Sequence, residues 1–321
     1  MTGAKQKRVL VTGAAGFIGE AVIDALVACD DYAVTATDAK PAPRRLPEGV
    51  RYLAGDISDV SLQAELCSEK ADAVIHLATL PSGAAEKDPA AAKRINLDAA
   101  MALAERVSDV KDPPRFVFAS SIAVYTTHNI EVVDDETPVA PELFYGAHKA
   151  MAERWLAALT RRGAIDAVSL RLPGIVARPR APSGMTSAFW SDLFHALGNG
   201  ERFVSPVSGA ATTWLLSRRR TVENILHALG ADSADMPESR ALALPAIRCA
   251  MADLVKAILN HAGQDEELVS YAPAEAVERI FGSYPPLITK KARALGFYDD
   301  GDLESLVRNV FAGIEKQKAE P

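Results

Sequence analysis

The sequence predicts an α/β fold: a doubly wound parallel sheet followed by a smaller mixed C-terminal cap. Three observations carry that expectation. Short apolar runs alternate with helical patterns through the first half of the chain, as in a parallel sheet covered on both faces. A glycine-rich turn follows the first of those runs. After Leu172 the texture changes, with Pro173, Pro179 and Pro182 close together among glycines and serines.

Taken in order, Arg8 to Thr12 reads as a buried strand and Gly19 to Cys29 as an amphipathic helix. Ala33 to Thr37 is a second strand, ended by Asp38, and Arg51 to Ala54 a third, followed by Asp56. Ala73 to Leu77 is a fourth, with a helix around Ala90 to Val107. Arg115 to Ala119 is a fifth strand, Pro141 to Thr160 a long helix and Ala167 to Arg171 a sixth strand. Shorter helical pieces follow, ending in an amphipathic helix from Asp302 to Phe311. The expected division is a sheet domain over 1–172, with 208–248 returning to it, and a cap formed by 173–207 and 249–321.

Length and composition bound the function. The 321 residues suffice for one large or two smaller domains with a sizeable core. Net charge is −7, and the basic clusters Arg44-Arg45 and Arg218-Arg219-Arg220 are short, which argues against nucleic acid as a partner. Cys29, Cys67 and Cys249 are widely spaced and odd in number. That argues against a disulfide framework or a zinc site and predicts a cytoplasmic protein. Val9-Leu10-Val11 is too short for the core of a signal peptide and runs straight into glycines. No apolar run is long enough to span a membrane.

The turn Gly13-Ala14-Ala15-Gly16-Phe17-Ile18-Gly19 lies between a strand and a helix. Gly13 permits a tight turn, Gly16 lets the backbone approach a pyrophosphate at the helix N-terminus, and Gly19 lets helix and strand pack closely. This is the fingerprint of a Rossmann dinucleotide site. Asp38 closes the next strand, where a carboxylate accepts hydrogen bonds from the adenosine ribose hydroxyls. That favours NAD over its 2′-phosphorylated form, although Lys40, Arg44 and Arg45 lie nearby. Asp56 and Ile57 follow the third strand and are expected to flank the adenine.

Tyr145 and Lys149 are four residues apart within the long helical pattern, so they project from one helix face. A lysine ammonium beside a phenol favours the phenolate, making the tyrosine a general base near neutral pH. A Ser120-Ser121 pair follows the fifth strand. Taking a hydride from a carbinol carbon requires removal of the hydroxyl proton, and one base with one donor holding the oxygen suffices. No metal is needed. His76 and His148 have no partners at metal-ligand spacing; the expectation is one near the cofactor and one on the helix surface.

These residues together resemble the extended short-chain dehydrogenase/reductase family. The resemblance covers the glycine turn, Asp38, Gly55-Asp56-Ile57, His76-Leu77-Ala78, Asn96, Ser120-Ser121-Ile122-Ala123-Val124-Tyr125, Tyr145-x-x-x-Lys149 and Arg171-Leu172-Pro173. It implies that Tyr145 is the catalytic acid/base, that Lys149 binds the nicotinamide ribose and lowers the tyrosine pKa, and that Ser121 holds the reacting oxygen. It implies that Phe17, Ile18, Leu77, Ala78, Thr79, Asn96, Pro173, Gly174 and Ile175 join Gly13, Gly16, Asp38, Asp56 and Ile57 around NAD. It also implies a homodimer.

Family members that act on nucleotide sugars clamp the diphosphate with two arginines, because that charge favours bidentate guanidinium contacts. Here the first position falls on threonine in Ala211-Thr212-Thr213-Trp214, and the second segment reads Phe281-Gly282-Ser283-Tyr284-Pro285-Pro286. The second half instead resembles the D-erythronate dehydrogenase branch, through Arg171-Leu172-Pro173-Gly174-Ile175-Val176, Arg178-Pro179-x-x-Pro182, Ser187-Ala188-Phe189, Trp214-Leu215-Leu216-Ser217, Gly282-Ser283-Tyr284-Pro285 and Ala292 to Phe297. That resemblance implies NAD-dependent oxidation of a four-carbon sugar acid at C2. Arg178 is the candidate carboxylate anchor, with Ser82 and Thr79 as hydroxyl partners, and Arg180 departs from the small residue of the branch. Trp190 and Trp214 are candidate pocket walls or core. Two other readings stand beside this one: a nucleotide-sugar epimerase or dehydratase that retains NAD, and a non-enzymatic NAD-binding sensor.

Overall fold

Apolar runs bounded by polar turns become twelve strands among the described residues. The structure, a computed structural model, describes residues 6–43, 46–127, 130–180 and 187–319. Arg44, Arg45 and Pro182 lie outside the described residues. The strands are β1 (Lys7–Thr12), β2 (Tyr32–Asp38), β3 (Arg51–Ala54), β4 (Ala73–His76), β5 (Arg115–Ser121), β6 (Asp166–Leu172), β7 (Gly174–Val176), β8 (Phe203–Ser205), β9 (Thr212–Ser217), β10 (Ala241–Ala243), β11 (Ile247–Ala250) and β12 (Val269–Tyr271). The helices are α1 (Phe17–Ala28), α2 (Val60–Leu66), α3 (Ser82–Lys87), α4 (Pro89–Lys93), α5 (Ala99–Val107), α6 (Phe144–Arg161), α7 (Phe189–Gly198), α8 (Arg218–Gly230), α9 (Met251–Ala262), α10 (Glu275–Phe281), α11 (Lys290–Ala294) and α12 (Leu303–Ala319).

Two units emerge. The first comprises 1–124, 140–171 and 222–242, and the second 125–139, 172–221 and 243–321. The first unit is built on a seven-stranded sheet in the order β10-β6-β5-β4-β1-β2-β3. Its strands β1, β2, β3, β4 and β5 pair in parallel. The chain winds outward from β1 to β3, then resumes on the other side at β4. The reversal between β1 and β4 opens a crevice beyond the carboxyl ends of those strands, the ligand position of open α/β sheets. This is the doubly wound Rossmann architecture. β10 extends the sheet by one strand beyond the six expected; three apolar residues, Ala241–Ala243, carry no readable period.

The first unit's core joins Leu10, Val74, Leu97, Leu103, Phe116, Phe118 and Leu156. Burying each such side chain contributes roughly 1.5–3 kcal/mol. The helix expected over Ala90–Val107 is interrupted: α4 gives way to a π turn at Arg94–Asp98 before α5. Wider turns of this kind recur at functional sites.

The second unit has a mixed sheet, in which β9 pairs with β7 in parallel and with β11 antiparallel. A separate parallel pair is formed by β8 and β12. Because β9 and β11 share that mixed sheet, 208–221 and 243–248 belong to the second unit. Its core includes Phe189, Trp190, Phe194, Leu215, Met251, Leu254, Leu306 and Val310. No helix among the described residues is long and apolar enough to cross a membrane.

Candidate active site

The glycine turn leaves the end of β1 beside the crevice between β1 and β4. Gly13 has a φ of +70°, a region open to glycine. A Cβ there would lie 2.7 Å from the backbone of Leu77 and Ala78, so the turn and the end of β4 touch main chain to main chain. A Cβ on Gly19 would fall 2.1 Å from the Gly13 carbonyl oxygen. Gly16 precedes α1 and places no side chain across its N-terminus, where the helix dipole favours an anion. Phe17 and Ile18 begin that helix. The Asp38 carboxylate accepts hydrogen bonds from Ala15 N at 3.1 Å and Lys40 N at 3.0 Å. The acid that ends β2 is thereby tied to the glycine turn.

The flanking loops are held by side chains read from sequence as cofactor contacts. Asp56 accepts from Arg94 Nη1 at 2.7 Å, Ser58 Oγ at 2.7 Å and Ser58 N at 2.9 Å. Burial pushes its carboxyl up, but the bonds from Arg94 and Ser58 outweigh this and hold it below its ordinary range. Ile57 commits its side chain to the core, and its carbonyl accepts from Gln63. Asn96, 1 % exposed, accepts from Leu80 N at 2.6 Å and Thr79 Oγ1 at 3.1 Å and donates to Leu80 O at 3.0 Å. Its amide is spent on the segment after β4, where Leu77, Ala78 and Thr79 run past the glycine turn. Asn96 sits in the π turn, which links that irregularity to the shape of the loop.

His76 ends β4 fully buried, stacked against Phe118. Its Nδ1 lies 2.9 Å from Thr12 Oγ1, and Thr12 Oγ1 also accepts from Ala78 N. Burial, aided by Lys149, pushes its imidazole down to about 3. His148, expected on the helix surface, is instead 5 % exposed. The buried stripe of α6 runs through His148, Lys149, Ala152, Glu153, Leu156 and Ala157, so the helix turns that histidine inward.

The residues expected to carry the chemistry cluster where β5 meets α6. A Cβ on Gly146 would fall 2.0 Å from Ala123 O, so α6 docks on the short 3-10 turn Ile122–Val124 that follows Ser121. Ser120 is 2 % exposed and donates to Glu153 Oε1 at 2.5 Å. Ser121 is only half-buried, and its Oγ accepts from Ala123 N at 3.1 Å. Tyr145 is likewise half-buried, with its main-chain N 3.5 Å from Glu86 Oε1. Lys149, 1 % exposed, donates to Ala119 O at 2.7 Å. Its Nζ stands 4.7 Å from the Phe118 ring centre and 5.6 Å from that of Tyr145. Burial pushes the Lys149 amine down to about 7, against the upward pull of the Glu153 carboxylate.

The model of the NAD dependent epimerase/dehydratase family matches residues 9–229. The chain belongs to that family. A relative from Cupriavidus necator named D-erythronate dehydrogenase is 33% identical, covering 96% of this chain and 99% of its own. A second protein of that name, from Haemophilus influenzae, is 29% identical, covering 94% of this chain and 98% of its own. Among solved structures, the nucleoside-diphosphate-sugar epimerase from Agrobacterium tumefaciens superposes with a TM-score of 0.86 at 28% identity, covering 96% of this chain and 95% of that one. Family and relatives make this chain an NAD-dependent oxidoreductase, and the glycine turn with Asp38 fits that dinucleotide.

In this epimerase/dehydratase-family enzyme, several second-half candidates have structural duties within their own unit. Pro173 is buried. Gly174 and Ile175 pair with Leu215 and Leu216 of β9. The carbonyl of Arg178, a half-buried residue, accepts from His195 Nε2 at 2.7 Å. Trp190 and Trp214 are core residues, 4 % and 0 % exposed, and Trp214 Nε1 donates to Pro285 O. The Gly282–Pro285 segment is bonded to β9 through Thr212. Ser82, in the first unit, opens α3. Sequence reasoning missed Glu153, although it lies one further turn along the Tyr145–Lys149 face. Among the described residues no cluster of three His, Cys, Asp or Glu could hold a metal ion.

Proposed function

We propose that this enzyme oxidises the C2 hydroxyl of a small sugar acid, a D-erythronate-like four-carbon acid, to the 2-oxo acid. The grouping of Ser121, Tyr145 and Lys149 around the junction of β5 and α6 carries the reading. Tyr145 takes the hydroxyl proton as the C2–H bond breaks and the C2–O double bond forms. The Ser121 hydroxyl holds the reacting oxygen and fixes it against the phenol. The Lys149 ammonium favours the phenolate by charge attraction and reaches the nicotinamide ribose. NAD supplies the acceptor for the hydride. Gly13, Gly16, Phe17 and Ile18 hold its pyrophosphate, and Asp38 its adenosine ribose. Asp56, Ile57 and residues 77–79 shape the cofactor's surroundings, and Asn96 fixes the loop that carries Thr79. Pro173, Gly174 and Ile175 are assigned to the nicotinamide side. Arg178 is the proposed carboxylate anchor and Ser82 a hydroxyl partner.

The identity to two proteins named D-erythronate dehydrogenase over nearly the whole chain supports this substrate class. A second reading, a nucleotide-sugar epimerase that retains NAD, draws support from the description of the Agrobacterium structure. Threonine at the position of one expected diphosphate-binding arginine, and no arginine in Phe281–Pro286, weigh against it. Net NADH release separates the two. The purified enzyme is expected to reduce NAD with a tetronate, whereas turnover of a nucleotide sugar without NADH release would favour the second reading.

A further inference from the structure

We propose that Glu153 is a positioning residue for Lys149: its buried carboxylate, locked between Ser120 and Arg171, keeps the lysine charged and pins the strand end that carries Ser121. The inference rests on the reading of Lys149 as an ammonium that serves Tyr145.

The geometry is a closed set of bonds. Glu153 Oε1 accepts from Ser120 Oγ at 2.5 Å and from Arg171 Nε at 3.0 Å. Glu153 Oε2 accepts from Arg171 Nη2 at 2.8 Å. The side chains of Arg171 and Glu153 are 11 % and 4 % exposed. A two-pronged guanidinium–carboxylate contact is strong and directional, so it fixes α6 to β6. Ser120 attaches β5 to the same carboxylate. Ser120 lies between Ala119, whose carbonyl receives the Lys149 ammonium, and Ser121. Holding Ser120 therefore holds both neighbours.

Glu153 also lies one helical turn beyond Lys149 on the buried face of α6. The other groups facing Lys149 offer little compensation for its burial. From β4, His76 is neutral at ordinary pH and repels the ammonium when protonated. From β5 come the Ala119 carbonyl and the Phe118 ring. On α6 itself, Tyr145 lies one turn before, and His148 is adjacent and electrostatically opposed to it. From β6 comes Arg171, whose charge Glu153 absorbs. The Glu153 carboxylate is the group that opposes the burial of the lysine. A buried ion pair retained only for stability would be exchangeable for apolar residues of similar volume. Its placement beside Lys149 assigns it a second task.

The test follows Lys149 directly. Full-length protein carrying isotope-labelled lysine is titrated by NMR, with the Lys149 signal identified by its absence in Lys149→Met. In Glu153→Gln the titration midpoint of Lys149 is expected about 1 pH unit lower than in the wild type, with partial recovery in Glu153→Asp. If Glu153→Gln does not fold, Glu153→Asp carries the test: its carboxylate is drawn back by one methylene from Lys149 and Arg171, and the Lys149 midpoint is expected below that of the wild type. An unchanged Lys149 midpoint in the folded variant overturns the proposal. The alkaline limb of the pH profile for NAD reduction should move down with the midpoint. A wild-type enzyme that reduces NAD with no hydroxy acid would sink the reaction assigned above, while the midpoint comparison still decides on Glu153.

Discussion

Ser120 donates to Glu153 at 2.5 Å, whereas Ser121, the next residue, turns its hydroxyl to the half-exposed side of β5. The two serines should therefore fail differently. Ser120→Ala leaves a buried carboxylate one donor short, which costs about 1–3 kcal/mol and is read as a lower denaturation midpoint. Ser121→Ala should keep its stability within about 0.5 kcal/mol of wild type and lose kcat. Steady-state kinetics beside urea denaturation of both variants check this.

Gly19 has no room for a methyl group, with the Gly13 carbonyl 2.1 Å from its would-be Cβ. Gly19→Ala is expected to cost about 1–3 kcal/mol and to weaken NAD binding by distorting the turn. Gly313, inside α12, meets nothing within 4 Å, so Gly313→Ala should gain roughly 0.5–1 kcal/mol. Denaturation midpoints of the two variants give opposite signs.

His76 sets an acid limit on the fold. Unfolded, its imidazole takes up a proton near the ordinary value of about 6.5; folded, it stays neutral until about 3. Between those values the unfolded chain binds more protons. The stability it confers is present above about 6.5 and is lost as pH falls toward 3, by about 1.4 kcal/mol per pH unit. His76→Asn cannot titrate, so its stability should fall less steeply with acid across that window. Equal slopes for the two proteins would remove His76 from the account.

Asp38 accepts from the turn at Ala15 and from Lys40, and in the proposed NAD site its charge opposes a 2′-phosphate. Asp38→Asn should lower the preference for NAD over NADP by about tenfold, one bidentate ribose contact being exchanged for a neutral amide. The ratio of kcat/KM for the two cofactors measures it.

Most of the sheet was legible from short apolar runs, such as Val9-Leu10-Val11 in β1 and Ala73-Val74-Ile75 in β4, and β3 falls on Arg51–Ala54, as the residue pattern implied. β10 was not, since Ala241–Ala243 is too short for a period. The glycine turn and Asp38 could be read from spacing alone, because each glycine answers a backbone need. The polar interior of α6 could not. His148, Lys149 and Glu153 occupy core positions, where periodicity expects apolar residues, and so a charged residue there reads as surface. Asn96 was singled out only through the family resemblance, and its bonds to Thr79 and Leu80 depend on a π turn that no helical pattern announces.

The most direct test of the central claim is NADH formation from D-erythronate and related tetronates, aldonates and uronates, measured for the wild type and for Tyr145→Phe. The wild type is expected to reduce NAD with a four-carbon acid. Tyr145→Phe should still bind NAD but turn over about 10²–10⁴-fold more slowly. Equal turnover by the two proteins would contradict the account.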